Sequence, residues 1–311
     1  MRTYLECVPC LLRQALEASR SATDDPVVHE KVVREKFRLA ARMPFGHPPP
    51  WMGQRIHRLL RQVTGNSDPY REAKRRSSAA ALELYPGLEE RVAASADPFA
   101  TAVHLAIAGN VIDLGCRADP RDGDVQRAIE EAMTARVDSH EIDALRQAIR
   151  KAEAILYLAD NAGEIVFDRL LIESMPPDRT TLLVRGRLVL NDATREDAEA
   201  ASLADLVEVI DSGADVPGTI LDQCSVAFRR RFESADLIIA KGQGNCETLS
   251  QECLDGGQAL FFLLKVKCDV IATDLGCRTG EMVVRKYQAA SRSTVAGCCE
   301  HFDWVSEEAH S

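Results

Sequence analysis

Five short apolar runs, at residues 154–159, 180–184, 206–210, 236–240 and 259–264, recur through the second half of the chain with helical stretches between them. Runs of this length joined by helices specify a mainly parallel β-sheet, because parallel neighbours need a crossover and a helix is the compact way to make one. Each of the first four runs ends in a polar cluster: Asp-Asn-Ala-Gly-Glu at 160–164, then 185–194, 211–219 and 241–247. In a parallel sheet these loops share one rim, so clusters distant in sequence converge there. The first half has a different rhythm. From about residue 3 to 150 the apolar spacing is helical, broken at the proline-rich 44–51 and at 65–69, with no strand candidate. The chain is therefore expected to be α/β: a Rossmann-like, mainly parallel sheet flanked by helices over 151–311, with an all-helical domain over 1–150 contributing to the cleft.

A length of 311 residues buries a large core, and 46% hydrophobic with 28% charged residues is an ordinary globular balance. The net charge of -10 argues against nucleic acid or an anionic membrane as partner, since both would be repelled. The amino terminus lacks the apolar core of a signal peptide, and the stretch 259–264 falls far short of the roughly 20 residues that span a bilayer. A cytoplasmic location follows as an expectation. Ten cysteines are too sparse for a disulfide scaffold, and reduced thiols are the reading.

Asp160 and Asp192 stand at the ends of two different strands as hard oxygen donors, and Asn161 adds a neutral carbonyl oxygen. So sparse a set suits Mg²⁺ or Mn²⁺, which keep waters and leave room for phosphate oxygens, and oxygen ligands leave Co²⁺ and Ni²⁺ open. Asp-Asn after a strand is also a common turn or helix cap. Lys241, Gly242, Gly244 and Asn245 present a cation and unhindered amides at a helix start, which favours phosphate; the same glycines also serve an ordinary strand-to-helix turn. Asn110 and Asp113 share one face of an apolar helix, where polar groups either bond internally or face a wet cleft. Arg185 reads as phosphate-neutralising or solvated, Asp211 as a substrate-hydroxyl acceptor or a turn residue, and Glu247 as a support for the site or an acidic residue in the first turn of a helix. Cys7 and Cys10 have redox-pair spacing without the preceding strand, so packing thiols come first; zinc would need two more ligands, which Cys298, Cys299 and His301 could supply only if the termini meet. The histidines show no metal spacing.

The loop at 160–164, Asn-Asp-Ala-Thr at 191–194, Lys-Gly-Gln-Gly-Asn-Cys-Glu at 241–247, the helix at 106–115 and the starting Cys-Val-Pro-Cys resemble, in order and over nearly the whole chain, the family first called domain of unknown function 89. Its members are described as metal-dependent damage-control phosphatases, and the Cys-x-x-Cys start resembles the prokaryotic branch. The resemblance implies that Asp160, Asn161 and Asp192 hold the catalytic metal, that the 241–247 loop contacts phosphate, and that Asn110 faces the cleft. The expected activity is metal-dependent hydrolysis of a small phosphorylated metabolite, with Asp160, Asn161, Asp192 and Lys241 as the catalytic set. Ala162 removes the Asp-x-Asp pattern of haloacid-type phosphatases, so water is the preferred nucleophile. A carboxyl methyltransferase and a non-catalytic metal- or metabolite-binding module are the rival readings. Oligomeric state is not legible.

Overall fold

The computed structural model describes residues 1–109, 122–252 and 257–287. Seven helices come first: α1 (Cys7–Ala22), α2 (Pro26–Ala41), α3 (Pro49–Thr64), α4 (Arg71–Ala94), α5 (Pro98–Gly109), α6 (Asp122–Thr134) and α7 (Ser139–Lys151). Their starts carry the expected chemistry. Proline opens α2 and α3, where its missing N–H costs nothing, and Asp25 and Asp138 cap the first turns of α2 and α7.

The alternating part follows as β1 (Ile155–Leu158), α8 (Glu164–Ile172), β2 (Thr180–Val184), α9 (Arg195–Ala200), β3 (Glu208–Asp211), α10 (Val226–Ser234), β4 (Leu237–Lys241), α11 (Gly242–Leu249), β5 (Ala259–Lys265), α12 (Asp269–Leu275) and β6 (Met282–Tyr287). The sheet runs β3-β2-β1-β4-β5-β6. Its first five strands are parallel, as the spacing of apolar runs predicts. The sixth, β6, pairs antiparallel with β5 and is an addition to the five runs read from sequence. From β1 the chain proceeds outward to β2 and β3, then returns to lay β4 on the other side of β1. The loops after β1 and β4 therefore part at the switch point, where open α/β sheets leave a crevice.

Helix gives way to strand between Lys151 and Ile155, but the hydrophobic core does not divide there. Ile155, Tyr157, Leu182, Ile239 and Phe261 face one side of the sheet and pack in a single cluster with residues of α4, α5, α7 and α8. The alternate residues Leu156, Leu158, Ile238 and Phe262 face the other side, covered by Phe228, Leu249 and Ile271 from α10, α11 and α12. Among the described residues, α1, α2 and α3 form a separate cluster around Leu11, Val32, Ile56 and Leu60, joined by Tyr70. The crossover helices α8 and α9 leave much of the first face open, and α4, α5 and α7 complete it.

Candidate active site

The loops after β1 and β2 are stitched together by their backbones. Asn161 and Asp192 form an isolated antiparallel bridge. Ala193 N donates to Asp160 O at 2.8 Å, and Ala162 N donates to Asn191 O at 2.8 Å. Two acidic residues 32 positions apart are thereby fixed in one place. Leu190, just before this stretch, has φ of 48°, a left-handed conformation that a branched residue keeps only where its surroundings impose it. Arg61 Nη1 of α3 supplies part of that constraint by holding Leu188 O at 2.8 Å.

Asp160 and Asp192 are 9% and 3% exposed. Burial, together with the charges of Glu164 and Asp192, pushes the Asp160 carboxyl well above the usual carboxylate range, while Lys267 and Arg185 oppose the rise. Burial also raises Asp192, with Arg185 drawing it back. Asp160 Oδ2 lies against the start of α11, where Gly242 has φ of 76°; a Cβ there would stand 1.9 Å from that oxygen. Glycine at 242 is thus required twice, by the backbone and by the approach of the carboxylate to the helix start.

Arg185 is 2% exposed and donates from Nε to Asp192 Oδ2 at 2.6 Å, with longer bonds from its terminal nitrogens to Ala159 O, Asn245 Oδ1 and Thr219 Oγ1. It is neither solvated nor free to meet a phosphate: its fork ties β1, β2 and α11 together behind Asp192. Asn245 is spent in the same way, donating to Lys241 O at 2.8 Å and Ala159 O at 3.2 Å and accepting from Thr219 Oγ1. Gly244 has no room for a side chain because Pro217 O lies against it, which is the turn-packing reading of that glycine.

Lys241, at the N-cap of α11, is fully buried. Its ammonium donates to Ala106 O of α5 at 2.8 Å, to Glu164 Oε1 at 2.6 Å and to Asp168 Oδ1. Burial alone would lower its pKa, yet Asp168 and Glu164 raise it, so it stays charged. All three of its donors are engaged inside the protein. Glu247, in the second turn of α11, accepts from Gln243 Nε2 at 2.8 Å, and burial raises its carboxyl to about 7. Asp211 is exposed and its Oδ1 accepts from Gly213 N at 2.9 Å, the bland turn reading rather than a hydroxyl acceptor. Asn110, Asp113, Cys298, Cys299 and His301 lie outside the described residues.

Sequence reasoning passed over three residues. Glu164 and Asp168, on the first two turns of α8, neutralise Lys241. Lys267 follows β5 on the same rim; its side chain is exposed and its field reaches both Asp160 and Glu247, while its amide donates to Gln243 Oε1 at 3.1 Å. Extending the strand-end rule from the fourth apolar run to the fifth would have found it.

The donor set can be tested against a divalent ion. Among the described residues no three His, Cys, Asp or Glu side chains are already gathered as a metal cage. Four buried carboxylates, Asp160, Glu164, Asp168 and Asp192, stand with two buried cations, Arg185 and Lys241, while a third, Lys74, is paired with Asp197. One divalent cation offsets that excess, and two carboxylates with one carboxamide leave coordination places for water and phosphate, so the residues fit Mg²⁺ or Mn²⁺.

The fold and the rim define an α/β protein with its polar site at the switch point of the sheet. Residues 3–283 match the Damage-control phosphatase ARMT1-like domain, and the chain belongs to that family. It is 35% identical over 298 residues to an uncharacterized protein of Methanocaldococcus jannaschii, covering 90% of this chain and 94% of that one. It is 34% identical to a damage-control phosphatase of Archaeoglobus fulgidus, covering 90% and 97% of the two chains. A crystal structure of a family member from Pyrococcus horikoshii, titled as a protein of the domain of unknown function 89 family, superposes with a TM-score of 0.83 at 32% identity, covering 93% of this chain and 100% of that one.

Proposed function

We propose that the protein is a metal-dependent phosphomonoesterase acting on small phosphorylated metabolites, either sugar phosphates or damaged and side-product phosphates. The convergence of Asp160, Asn161 and Asp192 at the switch point carries this reading, and relatives named damage-control phosphatases support it. Asp160, Asp192 and the Asn161 carbonyl oxygen would hold the ion. When bound, a divalent cation supplies a Lewis acid for phosphoryl oxygens and lowers the pKa of a coordinated water. Arg185 keeps Asp192 aimed through its Nε bond and opposes the rise in its pKa, and Gly242 lets Asp160 sit against the start of α11. Lys267, exposed on the rim, would meet the phosphate's charge, whereas Lys241, neutralised by Glu164 and Asp168, supports the site from behind. No described helix is long and apolar enough to cross a membrane. The acidic chain disfavours nucleic acid, and the proposed partner is a small phosphorylated metabolite.

The test is phosphate release from a metabolite panel with Mg²⁺, Mn²⁺, Co²⁺ or Ni²⁺, comparing the wild type with Asp192→Asn. The amide is preferred to alanine because it still offers Arg185 an acceptor. Release that requires metal and falls by roughly 100-fold or more in the variant supports the reading. Turnover that ignores chelators and needs a methyl donor, or tight ligand binding without turnover, overturns it.

A further inference from the structure

We propose that Glu164 is a positioning residue that fixes the orientation of the Asn161 carboxamide, and that Lys241 is the strut holding Glu164 in place. The proposal rests on the metal reading above. A carboxamide is nearly symmetric in shape, and which end faces a ligand is decided by its hydrogen bonds. Here both N–H bonds of Asn161 Nδ2 are taken by carboxylates: Asp160 Oδ2 at 3.0 Å and Glu164 Oε2 at 2.9 Å. With Nδ2 bound on that side, Oδ1 is the end turned away from both acceptors, and in the metal reading it is the oxygen that would serve as a donor to the ion. Asp160 alone cannot secure this, because as an ion donor it shares its electrons with the cation.

Glu164 can act as the anchor because it is anchored itself. Its other oxygen, Oε1, accepts from Lys241 at 2.6 Å, and Lys241 is held in turn by Asp168 and by Ala106 O of α5. The line of contacts runs from the helical layer through α11 and α8 to one amide at the rim. Gly163 permits it: a Cβ there would lie 2.0 Å from Ser77 Oγ of α4, so a larger residue would push the start of α8, and Glu164 with it, away from the site.

The experiment measures Mn²⁺ binding alone, by calorimetry and by the loss of free-ion electron paramagnetic resonance signal, in the wild type, Glu164→Gln and Asp168→Asn. Glutamine keeps the size of the side chain but can turn a donor towards Asn161, so Mn²⁺ affinity should fall about 10- to 100-fold with the fold retained by circular dichroism. Asp168→Asn, one contact further from the amide, should weaken affinity in the same direction but less. Should Glu164→Gln fail to fold, Asp168→Asn decides: unchanged affinity overturns the proposal. A lower melting temperature with unchanged affinity in a folded Glu164→Gln also overturns it, because a merely structural residue behaves that way. If the wild type binds no Mn²⁺, the metal reading itself falls, a result distinguishable from wild-type binding that the variants leave intact.

Discussion

Two of the buried lysines in this protein meet opposite fates. Lys241, at the rim, is 0% exposed and meets two carboxylates and a carbonyl; Lys36, in the α1–α3 bundle, is 1% exposed and its Nζ has no hydrogen-bond partner. The carboxylates outweigh burial and keep Lys241 charged, whereas burial lowers Lys36 to about 7. Beside Lys36, His57 is buried with an orphaned Nε2 and lowered to about 3 by burial and by the charges of Arg61 and Lys36. The difference teaches that burial of a charge marks a built site only when the opposing groups are buried with it. The rim has them, and the bundle carries an uncompensated cost.

That contrast can be broken by experiment. Lys241→Met should be the most damaging change, lowering stability by about 3–5 kcal/mol in denaturant titration because Glu164 and Asp168 lose their cation. A neutral outcome would mean that the rim charges are not coupled. Gly242→Ala should cost about 1–3 kcal/mol through the left-handed backbone alone, and it should also weaken Mn²⁺ binding by displacing Asp160. Lys36→Met should act in the opposite direction, gaining about 1–3 kcal/mol by removing an orphaned buried donor.

The pH dependence sharpens the same point. The folded pKa of Lys36 is depressed from 10.5 to about 7. Below about 7 both folded and unfolded states hold the proton, and Lys36 gives no slope. Between about 7 and 10.5 the unfolded chain holds it and the folded chain does not, so stability should rise with pH, by at most about 1.4 kcal/mol per unit for one proton. Lys36→Met should flatten that contribution in urea titrations across pH 7–10. The smallest effect on stability is expected at Lys267, which is exposed: Lys267→Ala should leave the melting temperature within a degree or so while raising KM for a phosphate ester roughly tenfold, and Lys267→Arg should restore most of it.

Much of the fold was legible because its signals are local. The apolar runs around Ile155–Leu158 and Leu237–Lys241 and the capped helix starts announce themselves within a few residues, and the crossover rule then puts Asp160 and Asp192 on one rim. The edge strand Met282–Tyr287 was missed, as no apolar run of the same kind marks it: its Arg285 and Lys286 interrupt the pattern. The roles of Arg185 and Asn245 were misread for a related reason. A rim arginine and a rim asparagine look like ligand contacts until the tertiary structure shows their donors already spent on Asp192, Ala159 and Lys241.

By itself the sequence determined which residues alternate between strand and helix and which polar clusters end the strands, since periodicity and turn chemistry are properties of neighbouring residues. Only the tertiary structure decided that Lys241 is neutralised by residues 73 and 77 positions away, that Asn161 is locked by Glu164, and that α4 to α7 share the sheet's core. Those outcomes depend on distances across the sheet and on which buried charges meet, and neither quantity exists until the chain has packed.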